Sequence, residues 1–152
     1  VNLFCKQAYF DKQITVWGGQ QTRTNLNIRT LILIYEWLLK QQTTDIDGQI
    51  FNITSGNHTA LELADQVRTY SLTSGGCNVP IVVDSDKVDH RSYSMCGDKA
   101  IDWMYRTHPA HWHFTIYDAI RSNFLFFSAG GIANPDGDVY YNNRRMASVM
   151  RE

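Results

Sequence analysis

The chain has 152 residues, of which 43% are hydrophobic and 12% aromatic, so it can form one domain with a packed core. Fourteen basic residues against fifteen acidic ones leave a net charge of −1, and no overall field attracts nucleic acid or an anionic membrane. Cys5, Cys77 and Cys96 are odd in number and lack Cys-x-x-Cys spacing, so neither a disulfide framework nor a zinc site is indicated. A reducing, cytoplasmic compartment is the simplest expectation.

The longest apolar run, residues 31–39, is interrupted by Glu36. It is far shorter than the roughly 20 residues that a membrane-spanning helix needs. We therefore expect no transmembrane helix and no membrane partner.

The first predicted elements are a helix and a strand. Four apolar residues recur with helical spacing at the start of the chain: Leu3, Phe4, Ala8 and Tyr9. The chain is therefore expected to begin midway through a helix. Residues 13–17 then alternate between polar and apolar, which is typical of a half-buried strand, and Gly18-Gly19 predicts a turn.

The middle of the chain alternates between helical and extended patterns. One apolar face predicts a helix over 30–41, and residues 49–53 after Gly48 read as a strand. Thr59 and Glu62 have the spacing of a capping box, which predicts a helix over 59–72. The β-branched residues of 79–83 favour another strand.

Two short helices are expected near the end, over 98–105 and 115–126, the second beginning at a cap-like Thr115. The fold class is therefore α/β. We expect a small mixed sheet, made by the strands at 13–17, 49–53 and 79–83, with the helices at 30–41 and 59–72 covering it.

Several short motifs follow one another in an order found in a known family. These are residues 14–23, with a strand, a glycine turn and an arginine, and then residues 28–39, 48–53, 59–67, 89–93, 98–100 and 140–146. Each resembles the corresponding segment in the C-terminal part of extended short-chain dehydrogenase/reductases, the NAD-dependent nucleotide-sugar epimerase/dehydratase family. The resemblance implies a substrate-binding domain over 1–128, followed by a C-terminal tail over 129–152.

Members of this family hold NAD(P) on an N-terminal Rossmann domain and a nucleotide sugar on the C-terminal part. The ten glycines here form no Gly-x-Gly-x-x-Gly turn, which is needed to admit a pyrophosphate. None of the eight tyrosines belongs to the family's catalytic Tyr-x-x-x-Lys pair. We therefore expect no catalytic residue and no cofactor in this chain, while the complete enzyme would use NAD or NADP.

The resemblance implies five substrate-binding residues. Arg23 and Arg91 correspond to arginines that hold the diphosphate from two sides, and guanidinium groups suit that role. The alternatives are a surface arginine at position 23 and, for Arg91, a salt bridge with Asp89 or Asp86. We expect the two guanidinium groups to lie on the order of 10 Å apart or less, on one anion site.

The other three candidates are Val16, Trp17 and Asn2. The resemblance places Val16 and Trp17 beside the nucleotide base, although a tryptophan at a strand end is as often a core residue. Asn2 resembles an asparagine that contacts the nucleotide sugar near the diphosphate, and its alternative is a polar residue at a helix start. Asn27 and Tyr93 are weaker candidates.

This sequence departs from the family where relatives often carry Arg-Pro-x-x-His-Ile-x-Asp. Asn27 replaces the histidine, and Thr30 replaces the aspartate. Threonine can still cap a helix, whereas the role of the histidine is placed in doubt.

His108, His111 and His113 lie close together in a segment that also holds Trp112. Imidazoles bind zinc and copper, but no cysteine or spaced acidic ligand accompanies them. We therefore expect an inserted loop and no metal site.

Two functions remain. The first is the nucleotide-sugar-binding part of an NAD(P)-dependent epimerase or dehydratase, whose partners would be the nucleotide sugar and the Rossmann half. The alternative is a non-catalytic binding or assembly protein that retains this fold, and a homo-oligomer is compatible with either.

Overall fold

The computed structural model describes residues 1–87, 89–107, 113–137 and 146. Its α-helices are α1 (Asn2–Lys6), α2 (Ile28–Leu38), α3 (Thr43–Ile46), α4 (Ala60–Gly75), α5 (Asp98–Thr107) and α6 (Ile116–Ser128). Its strands are β1 (Ile14–Trp17), β2 (Thr22–Asn25), β3 (Gly56–Thr59) and β4 (Ile81–Asp84). A π-helical turn, Gln7–Asp11, continues α1. The predicted mixed α/β class is confirmed.

The strands form two separate pairs. Strands β1 and β4 are parallel, with Ile14 opposite Ile81, whereas β2 and β3 are antiparallel, with Arg23 opposite His58. Two of the strands predicted for one sheet, at 13–17 and 79–83, therefore pair as β1 and β4. The prediction that all strands form one sheet is wrong, because the chain turns away after β1 at Gly18-Gly19 and the strand β2 that follows pairs with β3. Both glycines there have positive φ, the left-handed region that favours glycine.

The main core lies between the parallel pair and helices α1, α4 and α6. Its buried members are Cys5, Ala8, Ile14, Val16, Leu63, Ala64, Val67, Tyr70, Val79, Ile116, Ile120 and Phe127. Burying one such aliphatic side chain contributes about 1.5–3 kcal/mol. Helix α4 covers the β1–β4 pair, as the apolar pattern of residues 59–72 predicts.

A second cluster joins α2 to α5. Its buried residues are Ile34, Trp37 and Met104, and the Trp37 and Trp103 rings meet edge to face at 4.8 Å. Helix α2 thus packs on another helix, and the expectation that it covers the predicted sheet is wrong.

Residues 49–53 form no strand, contrary to the sequence prediction. They pass alongside α5, where the Phe51 ring stacks on Trp103 at 4.7 Å. The ammonium of Lys99 donates hydrogen bonds to the Gln49 side chain and the Ile50 carbonyl. Because these contacts are made with a helix, the extended segment gains no strand partner among the residues described.

Helix α2 begins earlier than predicted. Its N-cap is Asn27, whose Oδ1 accepts from the Arg29 amide at 3.0 Å. Thr30 is not the cap but a buried residue whose hydroxyl bonds the backbone of Phe114. The buried amide of Asn27 also donates to the Thr115 carbonyl, so both residues tie α2 to the start of α6.

The two other predicted helix starts are confirmed. Thr59 and Glu62 form a complete capping box at α4, and Thr115 and Asp118 form another at α6. In each, the threonine hydroxyl accepts from the backbone of the acidic residue, whose carboxylate accepts from the threonine backbone. These bonds satisfy amides that a helix leaves unpaired at its first turn.

The chain after α6 returns to α1. Ile132 packs against the main core, and Lys6 Nζ lies 2.9 Å from Asp136 Oδ1. Over the stretches that the model describes, no helix has the length and hydropathy to cross a bilayer.

Candidate anion-binding site

Arg23 is positioned by strand β2. Its Nη1 donates to the Thr22 carbonyl at 2.9 Å, and its guanidinium carbon lies 5.4 Å from the centre of the Tyr93 ring. Its side chain is 23% exposed. The strand backbone and the aromatic ring therefore hold this guanidinium close to the protein surface without burying it completely.

Arg91 belongs to a segment that runs beside β2. The Thr22 amide donates to the Ser92 hydroxyl at 3.0 Å, and the Tyr93 amide donates to the Thr22 carbonyl at 3.2 Å. The Asn57 side chain exchanges two hydrogen bonds with the backbone of Met95. These bonds fix residues that are distant in sequence next to Arg23.

The two arginines meet on the carboxylate of Asp89. Arg91 donates from Nε to Oδ1 at 2.9 Å and from Nη2 to Oδ2 at 2.8 Å. The Nη2 of Arg23 lies 2.7 Å from the same Oδ2. The two Nη2 atoms are therefore separated by no more than the sum of those Oδ2 distances. We call Arg23, Asp89 and Arg91 the arginine pair site.

The two contacts with Asp89 differ in quality. Arg91 makes a planar, two-bond contact, which is the favourable arrangement for guanidinium and carboxylate. The Nη2 of Arg23 is buried and has no hydrogen bond of acceptable geometry, although Asp89 Oδ2 is close. The Arg23–Asp89 contact is thus an ion pair whose N–H bonds do not point at the oxygen.

The charges of the site hold Asp89 ionised. Hydrogen bonds from the side chain and then from the backbone of Arg91 keep the pKa of Asp89 well below its usual range. The positive charge of the nearby Arg23 guanidinium lowers this pKa further. The Asp89 carboxylate in turn raises the pKa of Arg91. Two guanidinium groups share one carboxylate, so the site keeps a surplus of positive charge.

Val16 and Trp17 have different surroundings. Val16 is completely buried in the main core, so its side chain cannot line an open site. Trp17 is 55% exposed, and the Lys87 ammonium lies 5.4 Å from its ring centre. Lys87 belongs to the same connection as Asp89, so Trp17 stands beside the chain that leads to the arginine pair site.

Asn2 lies in a groove between α1, α6 and the start of α2. Its Oδ1 accepts from the Asn123 side chain at 3.2 Å. The groove has a volume of about 610 Å³ and is lined by Val1, Asn2, Leu3, Asn25, Leu26, Asn27, Ile28, Arg29, Ile116, Ala119, Ser122, Asn123 and Phe126. It holds amide groups among apolar side chains.

Strand β2 connects the groove to the arginine pair site. Asn25 lines the groove, and its side-chain amide donates to the Arg23 carbonyl at 2.8 Å. Residues two apart on a strand point to the same face, about 7 Å from one another. The fold therefore brings Arg23 and Arg91 together, puts Asn2 in the neighbouring groove and leaves Val16 in the core.

Sequence reasoning did not single out Asn25, Arg29 or Asn123 as groove residues. Their contribution depends on how α1, α6 and β2 pack together, and no local motif marks such an arrangement. The salt bridge between Arg91 and Asp89, which the sequence offered as the alternative to ligand binding, is present. That Arg23 contacts the same carboxylate was not predicted.

The histidines show no metal site in the described parts of the chain. His113 Nε2 lies 3.3 Å from the Thr54 carbonyl oxygen, whereas His108 and His111 fall outside the described residues. No group of three or more His, Cys, Asp or Glu side chains that could hold a metal occurs among the residues described.

Comparisons of the chain with protein-family models, with curated proteins and with solved structures give no match.

Proposed function

We propose that this chain is the nucleotide-sugar-binding part of an NAD(P)-dependent epimerase or dehydratase of the extended short-chain dehydrogenase/reductase type. The observation that carries the proposal is the convergence of Arg23 and Arg91 on one carboxylate oxygen. A carboxylate oxygen and a phosphate oxygen accept hydrogen bonds from guanidinium groups in the same way. The sequence motifs that resemble the family place these same two arginines on a diphosphate.

The diphosphate of the nucleotide sugar would occupy the arginine pair site. It carries two negative charges, and the surplus positive charge of Arg23, Asp89 and Arg91 favours such a ligand. Tyr93 covers one side of the Arg23 guanidinium. The exposed face of Trp17 is available to stack on the base.

The sugar would lie in the groove next to β2. A volume of about 610 Å³ is within the usual range for small-molecule sites. The amides of Asn2, Asn25 and Asn123 can each donate and accept hydrogen bonds, which suits the hydroxyl groups of a sugar. This assignment keeps Asn2 as a substrate-binding residue.

The chemistry would take place on residues outside this chain. The sequence has neither the glycine-rich turn for NAD(P) nor the Tyr-x-x-x-Lys pair. In the complete enzyme, the nicotinamide would exchange hydride with the sugar while a tyrosine of the Rossmann half moves the proton. We place that enzyme in the cytoplasm, and the role of this chain is recognition.

A second candidate function is association with another polypeptide through α2. Four apolar side chains are exposed along one face of this helix and its C-cap: Ile28, Ile32, Tyr35 and, at the cap, Leu39. Their alternating spacings of four and three residues follow the seam of paired helices, and an apolar stripe of this kind marks an interaction surface. This α2 stripe supports either a Rossmann half or a second copy as the partner.

Calorimetric titration separates the two functions. We expect the chain to bind at least one of UDP-glucose, dTDP-glucose, GDP-mannose and CDP-glucose, with inorganic pyrophosphate competing. NAD at the same concentrations should give no saturable heat. Saturable binding of NAD would contradict a role limited to nucleotide-sugar recognition, and a chain that binds neither the sugars nor pyrophosphate would leave only the assembly function.

A further inference from the structure

The Asp89 carboxylate lies where a single anion can contact both Arg23 and Arg91. Its Oδ2 is 2.7 Å from Arg23 Nη2 and 2.8 Å from Arg91 Nη2. The side chain of Arg91 is 83% exposed, so an external ligand can approach that arginine from several directions. Arg23 is different, because its Nη2 atom is buried.

The other terminal nitrogen of Arg23 is already engaged. Its Nη1 bonds the Thr22 carbonyl, and the Tyr93 ring lies beside the guanidinium. A phosphate oxygen that is to bond Nη2 must therefore take the place of the Asp89 carboxylate. The N–H bonds of Arg23 Nη2 do not point at Asp89 Oδ2. A phosphate oxygen in line with one of these N–H bonds would therefore gain a hydrogen bond.

We propose that Asp89 is an intramolecular occupant of the anion site and selects for ligands of high negative charge. This inference rests on the proposed diphosphate-binding function. A monoanion such as acetate offers the arginines no more than Asp89 already does. A diphosphate offers several oxygens and a larger charge, so it displaces the carboxylate. Arg91 then binds the ligand through the exposed edge of its guanidinium group.

The inference requires that Asp89 opposes binding. Substituting it with asparagine removes the competing charge and leaves a side chain of the same shape. Asp86 is the matched control, since it is an exposed aspartate in the same connection. It has no ion pair to either arginine in the described structure. Both substitutions change the net charge equally, so they separate local competition from the overall field.

The test is the dissociation constant of inorganic pyrophosphate for the wild-type chain and for Asp89→Asn, Asp86→Asn and Arg23→Ala. We expect Asp89→Asn to bind roughly 10-fold more tightly, and Asp86→Asn less than about twofold more tightly. Acetate at equal concentration should compete in Asp89→Asn but not in the wild type. Equal or weaker pyrophosphate binding by Asp89→Asn would overturn the inference.

The failure of the inference can be distinguished from failure of the proposed function. If Arg23→Ala weakens pyrophosphate binding but Asp89→Asn does not strengthen it, the diphosphate site stands and Asp89 is not its competitor. If Arg23→Ala has no effect, both fall.

A titration of the wild type tests displacement without any substitution that could disturb folding. When pyrophosphate displaces Asp89, the nuclear magnetic resonance signal of Arg91 Nε–H should shift. An unshifted signal during saturable binding would also contradict displacement.

Discussion

Arg23 and Arg91 contact the same carboxylate oxygen, although one belongs to strand β2 and the other to the connection between β4 and α5. Two guanidinium groups repel each other, and an anion between them offsets that repulsion. Asp89 supplies that anion within the chain. In the account proposed for this protein, the diphosphate of a nucleotide sugar supplies it in the complex.

The first prediction concerns these arginines. Charge-assisted hydrogen bonds contribute about 1.5–3 kcal/mol, so Arg23→Ala or Arg91→Ala should weaken binding of a nucleotide sugar roughly 10- to 100-fold. Isothermal titration with the sugar that binds the wild type measures the change. Arg68→Ala is the control, because Arg68 pairs with Asp65 on helix α4. An equal loss in all three variants would argue against a specific site.

The second prediction concerns the start of α6. Thr115→Ala removes the hydroxyl that accepts from the Asp118 amide. It should lower the free energy of unfolding by about 1 kcal/mol, as loss of an N-cap usually does. Urea denaturation followed by circular dichroism measures the loss. Ser122→Ala serves as the control, since its hydroxyl bonds a carbonyl within the same helix and caps nothing. Similar stabilities for the two variants would refute the role of the cap.

The capping box also makes a contribution that depends on pH. Hydrogen bonds from the Thr115 side chain and backbone lower the pKa of Asp118 in the folded chain. The unfolded chain therefore binds the proton more readily, so this stabilisation is full above the ordinary aspartate pKa and is lost as pH falls through the lowered one. The stability deficit of Asp118→Asn relative to the wild type should shrink on acidification. A deficit that stays constant would contradict the linkage.

The third prediction concerns the thiols. Burial raises the pKa of Cys5 to about 12, whereas Cys96 is exposed. Because the thiolate is the reactive form, a disulfide reagent such as Ellman's reagent should modify Cys96 in the folded chain and reach Cys5 only on unfolding. Cys96→Ser identifies the fast phase, and mass spectrometry locates the label. Rapid labelling of Cys5 under native conditions would show that the core is placed wrongly.

The fourth prediction concerns the α2 stripe. If this surface binds a second copy of the chain, the protein should self-associate at high concentration. Ile32→Ser should weaken association roughly 10-fold, because burial of one aliphatic side chain contributes about 1.5–3 kcal/mol. Leu72→Ser on α4 is the matched control, since Leu72 is also an exposed apolar helix residue. Sedimentation equilibrium gives the constants, and a chain that remains monomeric would remove self-association from the account.

The sequence predicted those parts of the fold that local patterns encode. The caps at Thr59 and Thr115 and the burial of Ala64 and Val67 on α4 follow from side-chain spacing and hydroxyl chemistry. Leu72, which the same spacing placed at the buried face of α4, is exposed. Strands β2 and β3 were not predicted. Gly56 and Asn57 are poor strand formers, and β3 exists because it pairs with β2. Residues 49–53 have strand character but pack on Trp103, which only the tertiary structure reveals.

The residues of the candidate site, like the elements of the fold, were predicted only in part. The resemblance pointed to Arg23 and Arg91, and the model brings them together on Asp89. It also pointed to Val16, whose side chain proves to be fully buried, because alternation along a strand turns one neighbour inward and the next outward. The groove beside Asn25 required the packing of three elements, and local sequence patterns do not specify such packing.

We propose that the arginine pair site and the groove bind one nucleotide sugar together. Nuclear magnetic resonance tests it directly, with titration of the ¹⁵N-labelled chain by UDP-glucose, dTDP-glucose, GDP-mannose and CDP-glucose in turn. At least one should shift the Nε–H signals of Arg23 and Arg91 together with the amide signals of Asn2 and Asn25, and leave Arg68 unchanged. If none shifts either arginine, or if Arg68 moves equally, the claim is contradicted.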